Sequence, residues 1–214
     1  TVLMLHPGMV ATEMTGAHGI PVAESAQSLI ARIENQAELL RVVQEKEVRR
    51  VGGDRIIPLD GMHVSRSLAR TIRRGEFRVT FDTSFRQVIE GCAAASPGRE
   101  ETWISPAFID AYTRLAALGW AHSVECWQDE RLAGGLYGLA IGAWFGGESM
   151  FSAEPDASKV AIAALVERLR GHGFLLFDAQ VMNPHLASLG ALDIPRTEYI
   201  ERLRGALAAR PVPL

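Results

Sequence analysis

The chain has 214 residues, of which 48 % are hydrophobic and 22 % charged, a globular profile that excludes disorder over the whole length. A net charge of -3 at pH 7 excludes a uniformly basic binder, although a local basic face remains compatible with it. Two cysteines, Cys92 and Cys126, are too few for a disulfide framework or a zinc knuckle and fit a reducing, cytoplasmic setting.

In chain order, Thr1 to Leu5 is a short apolar run closed by His6-Pro7-Gly8 and reads as a buried strand and turn. Val22 to Asn35 reads as a helix, with Leu29, Ile30 and Ile33 on one face, and residues 36–50 as a charged connector. A second unit opens near Gly52, so the organisation expected is an atypical segment 1–50 followed by a core over 51–214. Val64 to Arg74 is an amphipathic helix stopped by Gly75. Val64, Leu68 and Ile72 form its apolar stripe, and Arg66, Arg70, Arg73 and Arg74 lie opposite. Phe77 to Phe81 alternates as a strand, and Ser84 to Ala95 and Pro106 to Leu118 are helices.

The period then changes to two. His122 to Gln128 puts His122, Val124 and Cys126 on one face and Ser123, Glu125 and Trp127 on the other. Leu132 to Gly147 is the longest uncharged run. It is glycine-rich and shorter than the roughly 20 apolar residues of a membrane span, so buried strands are expected, and no membrane association. Ser158 to Arg170 is a helix capped by Gly171, Phe174 to Ala179 a strand, and His185 to Leu189 and Thr197 to Ala208 helices. Helices beside a largely antiparallel sheet define an α+β layer fold.

Three places carry chemistry. In Phe174 to Gln180 an apolar run enters Asp178 and Gln180, which share one side if the strand continues. A carboxylate and an amide buried there demand partners and suit the handling of a polar substrate or an attacking amine. A solvated strand end is the alternative. Gly146-Gly147-Glu148 lets backbone approach a ligand and presents Glu148 on a loop, the alternative being a solvated turn. The arginine helix, with Arg78 nearby and only Glu76 opposing it, has the charge to meet phosphates, unless it is simply a solvated face. The six histidines show no metal-ligand spacing, so no metal is expected, and nothing in their pattern calls for a cofactor. Arg168 to Gly173 matches R-x-x-G-x-G, a CoA pyrophosphate pattern, but here it follows a helix and precedes a strand, which makes it a helix stop. No GxxxxGK[ST] loop, GxSxG elbow or HExxH is present.

From Ile56 to Leu203 the chain resembles the leucyl/phenylalanyl-tRNA–protein transferases. The blocks that carry the resemblance are HVSRSLARTIRR (His63 to Arg74), TWI (Thr102 to Ile104), Ala111-Tyr112, AHSVECW (Ala121 to Trp127) and GGLYG (Gly134 to Gly138). FGGESMFS (Phe145 to Ser152), Ala157-Ser158-Lys159, FDAQ (Phe177 to Gln180) and HLASLGA (His185 to Ala191) complete them in order. The resemblance implies an acetyltransferase-like (GNAT-type) core, a mixed and largely antiparallel sheet flanked by helices, that uses no acetyl-CoA. It implies a monomer that takes Leu or Phe, and less readily Met, from aminoacyl-tRNA to the α-amino group of proteins with N-terminal Arg or Lys, marking them for N-degron degradation. Asp178 and Gln180 are then the pair at the reacting amine, and Glu148 helps hold the acceptor. Trp103, Tyr112, Phe145, Gly147, Leu165 and Leu169 are substrate-binding, around the aminoacyl side chain and the terminal adenosine. Arg66, Arg70, Arg73 and Arg74 contact tRNA.

Residues 1–34 instead are similar to the tail of a short-chain dehydrogenase, with HPGMVATEM at His6 to Met14, but that family's nucleotide loop and Tyr-x-x-x-Lys pair are absent. A rearranged amino terminus is therefore expected. It leaves two alternatives to the transferase: an inactive RNA- or degron-binding remnant, and a CoA-dependent N-acyltransferase.

Overall fold

The computed structural model describes residues 3–4, 54–95 and 102–214. The expected helix at Val22 to Asn35, the connector 36–50, the dehydrogenase-like tail and the boundary at residue 50 lie outside the described residues, apart from a short strand β1 (Leu3–Met4). From there the order is β2 (Asp54–Ile56), α1 (Arg66–Arg74), β3 (Arg78–Phe81), α2 (Phe85–Ala93), α3 (Pro106–Ala117), β4 (Ala121–Gln128), β5 (Arg131–Ile141) and β6 (Trp144–Ser152). Then come α4 (Ala157–Gly171), β7 (Leu176–Asp178), α5 (Pro184–Ser188), β8 (Leu192–Ile194) and α6 (Arg196–Ala208).

Local chemistry sets the boundaries. Ser65 caps α1 by accepting the Leu68 N–H at 3.2 Å, and Gly75 ends the helix in the left-handed region. Ser105 caps α3 in the same way, with Pro106 in its first turn. A two-residue turn at Asp129-Glu130 joins β4 to β5, and Gly142 turns β5 into β6 with φ +55. A Cβ on Gly142 would also meet the Ala206 carbonyl oxygen at 2.7 Å, so glycine is required there twice over.

The strands form one sheet in the order β3-β4-β5-β6-β7-β2-β8, with β1 against β6 beside that path. Among the described strands only β6 and β7 run parallel, so the sheet is mixed and largely antiparallel, as expected. The α2, α3 and α6 helices cover one face around Val88, Ile89, Tyr112, Tyr137 and Leu203. The α1, α4 and α5 helices cover the other around Leu68, Phe145, Leu165, Phe177 and Leu186. The uncharged run thus becomes the sandwiched strands β5 and β6, buried from Ala133 to Leu139 and from Ala143 to Phe151. A second buried device is Glu125, fully enclosed on β4. Its carboxylate accepts the hydroxyls of Ser123 (2.5 Å), Thr80 (2.6 Å) and Thr83 (2.9 Å), which ties β3 and the start of α2 to the sheet.

Four expectations are corrected. Glu148 is not on a loop: it is inside β6 and 1 % exposed. Gly171 remains helical. His172 is the cap and Gly173 takes φ +79, because the chain must reverse before Phe174 returns to the core. Of the α1 stripe only Leu68 is buried. Val64 and Ile72 are each 42 % exposed and border an open cleft against α4. Gln180 does not continue the strand of Asp178, since its backbone is left-handed with φ +61.

Close packing of β5 on α4 makes a checkable prediction. A Cβ on Gly134 would lie 2.7 Å from the Ala157 Cβ and 2.9 Å from the Phe151 carbonyl oxygen. Gly134→Ala is expected to destabilise the fold by about 1–3 kcal/mol through overpacking, read as a shift of the urea midpoint.

Candidate active site

The site forms where two parallel strands part. β6 and β7 pair through Trp144 with Leu176, Phe145 with Phe177 and Gly146 with Asp178, and then separate. On the other edge of β6, Gly138 of β5 faces Gly147 while Tyr137 faces Ser149, so Glu148 is the extra residue of a bulge. Bulges re-aim a side chain and bend the strand that carries them. Beyond the bulge the β7-side edge of β6 is taken by β1, with Leu3 opposite Met150 and Met4 opposite Ser149.

Asp178 ends β7 fully buried. One carboxylate oxygen accepts the Gln180 backbone N–H at 2.9 Å and the other accepts the Tyr199 hydroxyl at 2.8 Å. The first bond stabilises the left-handed backbone of Gln180, a conformation that costs about 1–3 kcal/mol for a residue with a side chain. Gln180 is 4 % exposed, and its amide nitrogen donates to the Gly147 carbonyl at 2.8 Å across the parting strands. That carbonyl accepts only, which fixes the amide orientation and leaves Gln180 Oε1 as a buried acceptor with no partner among the described residues.

Glu148 lies beside this pair. The buried Tyr112 hydroxyl is hydrogen-bonded to its carboxylate. Burial first, then the Glu148 charge, holds the Tyr112 phenol well above its ordinary pKa, so it remains a donor. Burial also raises Tyr137, with smaller contributions from Cys92, Tyr112 and Glu148. Tyr112 stacks on Phe108 at 4.3 Å, and Trp103 meets Phe108 edge-on at 4.9 Å, an aromatic shelf leading to Glu148. Trp103 Nε1, Tyr137 Oη and Ser149 Oγ are further buried polar atoms without a partner among the described residues.

The structure therefore brings together Asp178, Gln180, Gly147, Glu148 and Tyr112. Phe145, Leu165 and Leu169 pack on the opposite face of the sheet, Phe145 edge-on to Phe177 at 5.4 Å. Trp103 belongs to the Tyr112 face. Arg66, Arg70, Arg73 and Arg74 are all exposed on α1, and Arg74 pairs with Glu76 at 3.4 Å. The cleft of about 330 Å³ between α1 and α4 is lined by Met62, Val64, Ile72, Phe77 and Val160, none of them in the candidate site. Tyr199 is the residue that sequence reasoning missed. A tyrosine on the buried side of α6 implies a hydroxyl partner, but the sequence does not say which strand it meets.

Arg168 to Gly173 closes α4, and Arg168 lies 4.4 Å above the Phe81 ring, which supports reading R-x-x-G-x-G as a helix stop. Among the described residues no group of three His, Cys, Asp or Glu side chains is placed to hold a metal, and no helix is long and apolar enough to cross a membrane. Cys92 and Cys126 are both buried, and burial, with the Glu125 charge, pushes Cys126 up to about 12.

Such a site defines a mixed α+β protein whose polar centre is a carboxylate–amide pair at a strand divergence. Residues 56–204 match the family described as leucyl/phenylalanyl-tRNA protein transferase, and the chain belongs to that family. Relatives named leucyl/phenylalanyl-tRNA–protein transferase include one from Novosphingobium aromaticivorans, 56 % identical over 151 residues, which cover 71 % of this chain and 57 % of the relative. Others come from Phenylobacterium zucineum (55 % over 154 residues; 72 % and 70 %) and Cereibacter sphaeroides (55 % over 152 residues; 71 % and 69 %). The match thus spans little more than half of the first relative's length. A solved putative acetyltransferase of the GNAT family from Desulfovibrio desulfuricans aligns with TM-score 0.33 and 18 % identity, over 47 % of this chain and 71 % of that one.

His185, within the HLASLGA block, supplies a pH test. Burial, then the Lys159 charge, lowers its pKa from 6.5 to about 4. The folded imidazole stays neutral while the unfolded one takes up a proton below pH 6.5. Its contribution is therefore intact above pH 6.5 and is lost as the pH falls towards 4. His185→Gln is expected to lose less Tm than the parent between neutral and acid pH, measured by calorimetry across that window.

Proposed function

We propose that this chain is a cytoplasmic aminoacyltransferase. It moves Leu or Phe, and less readily Met, from aminoacyl-tRNA to the α-amino group of proteins beginning with Arg or Lys, marking them for the N-degron route. The observation that carries the reading is Gln180 Oε1, a buried acceptor held in place by Asp178 and by the Gly147 carbonyl. Membership of the transferase family supports it.

The chemistry asks little beyond placement. An aminoacyl ester is already activated, so a neutral amine brought to its carbonyl suffices to form the peptide bond. In the transfer the amine nitrogen bonds to the ester carbonyl carbon and the bond from that carbon to the ribose oxygen breaks. The proton lost by the amine ends on the departing ribose hydroxyl. Gln180 Oε1 accepts one amine N–H and aims the lone pair at the carbonyl. Asp178 positions Gln180. Glu148, oriented by Tyr112, holds the cationic acceptor residue. Trp103, Phe145, Gly147, Leu165 and Leu169 shape the apolar and adenosine-binding surroundings. A pocket of this kind separates Leu, Phe and Met weakly, because one methylene is worth only about 1–3 kcal/mol. The reaction needs no cofactor, and the chain acts as a monomer. The dehydrogenase-like residues 1–34 are a rearranged amino terminus joined to this core.

Transfer of radiolabelled leucine from Leu-tRNA to an Arg-initiated peptide tests the reading, with a Gly-initiated peptide as control. Labelling of the Arg peptide alone is expected, and Gln180→Ala should reduce it about 100-fold or more. No transfer, with the tRNA acceptor arm still bound, would replace the transferase with a binding remnant. For the tRNA face, changing Arg66, Arg70 and Arg73 together to Gln should lower the slope of log K against log salt by about 2–3.

A further inference from the structure

We infer that Tyr199 is a positioning residue of the transfer site, acting on the reacting amine through Asp178 and then Gln180. The inference rests on the transferase reading above and extends its machinery to α6. Tyr199 is fully buried, and its hydroxyl donates to Asp178 at 2.8 Å. It approaches from α6, whereas the opposite carboxylate oxygen accepts the Gln180 N–H from the turn after β7. Two donors from different directions stop the carboxylate from rotating. Rotation would release the N–H that stabilises the left-handed Gln180, and with it the direction of Oε1. Without the hydroxyl, Gln180 has a route to the ordinary extended backbone, and its acceptor atom moves off the amine.

The tyrosine is itself held. Arg196, one turn earlier on α6, places its guanidinium 5.6 Å from the Tyr199 ring centroid and pairs with the buried Asp54 at 2.5 Å. Asp54 opens β2, whose Ile56 faces Asp178 and whose Arg55 carbonyl accepts the Ala179 N–H at 2.8 Å. The path from Asp54 through Arg196, Tyr199 and Asp178 therefore closes on β2. Both the tyrosine and the carboxylate it orients are registered on that one strand.

Tyr199→Phe keeps the ring and its packing and removes only the donor. In steady-state leucine transfer it should lower kcat about tenfold or more, leaving KM for Leu-tRNA and for the Arg peptide within about twofold and retaining a cooperative thermal transition. In an Asp178→Asn background the same change should alter the residual rate by less than about twofold, because the route through Asp178 is already cut. An equal loss in both backgrounds, a rise in KM with kcat unchanged, or loss of the thermal transition would each make Tyr199 a packing residue and overturn the inference. A wild-type chain that transfers leucine while Tyr199→Phe matches it overturns this inference alone. A wild-type chain that transfers nothing overturns the transferase reading and this inference together.

Discussion

The buried carboxylate of Asp178 is the constraint around which the site is arranged. A carboxyl group taken out of water is tolerated only with dedicated partners, and here the Tyr199 hydroxyl and the Gln180 N–H both bond it. Tyr199 arrives from α6, the Gln180 N–H from the turn after β7, and the strand itself is seated on β2. The Gln180 contact is local, two residues on, whereas the Tyr199 contact comes from another element of the chain. The carboxylate demands that β7 stop where it does, that the next turn curl back left-handed, and that α6 cross behind it. The parting of β6 from β7 follows from the same demand, since Gln180 reaches across to the Gly147 carbonyl where a ladder bond would otherwise run.

The strands that flank this point are built to be enclosed. β5 and β6 carry no charge except Glu148 and the terminal Arg131, and are covered on both faces by helices. Such strands read as continuous apolar runs because neither side meets water. The bulge at Glu148 is what lets a carboxylate exist in the middle of one. It displaces the pleat so that the side chain meets Tyr112 rather than an apolar neighbour.

Much of the element order was legible because it rests on periodicity. The stop at Gly75 and the change from helical to strand period before His122 are local signals that tertiary structure did not overrule. The short strands β2 and β8 were missed because three residues give no period to read, and their existence depends on pairing with β7 and each other. Glu148 was misplaced on a loop because Gly-Gly is ordinarily a turn signal. In a doubly buried strand Gly146 instead makes room for the Trp144 ring, which a Cβ there would overlap. Asp178 and Gln180 were recognisable as a pair, but by the wrong geometry. Strand spacing put them side by side on one face, whereas a hydrogen bond from the backbone of one to the side chain of the other bends the chain between them.

The candidate residues fall on both faces of the sheet, and this bears on how two substrates meet on the proposed reading. Phe145, Leu165 and Leu169 lie with α4, while Trp103, Tyr112 and Glu148 lie with α3. A continuous sheet would wall these groups off from each other. The divergence of β6 and β7 is the one interruption described between them, and Gln180 Oε1 lies at it. An aminoacyl group seated against the α4 side and an amine held beside Glu148 would then approach through the gap rather than across an open cleft. Positioning of this kind needs a gap of fixed width, because a reacting pair displaced by about 1 Å loses much of its rate advantage. The width is fixed by the Gln180–Gly147 hydrogen bond, and the direction of that bond by Asp178 and Tyr199. On the proposed reading, the same contacts that make a buried carboxylate tolerable would therefore set the geometry in which an amine meets an ester.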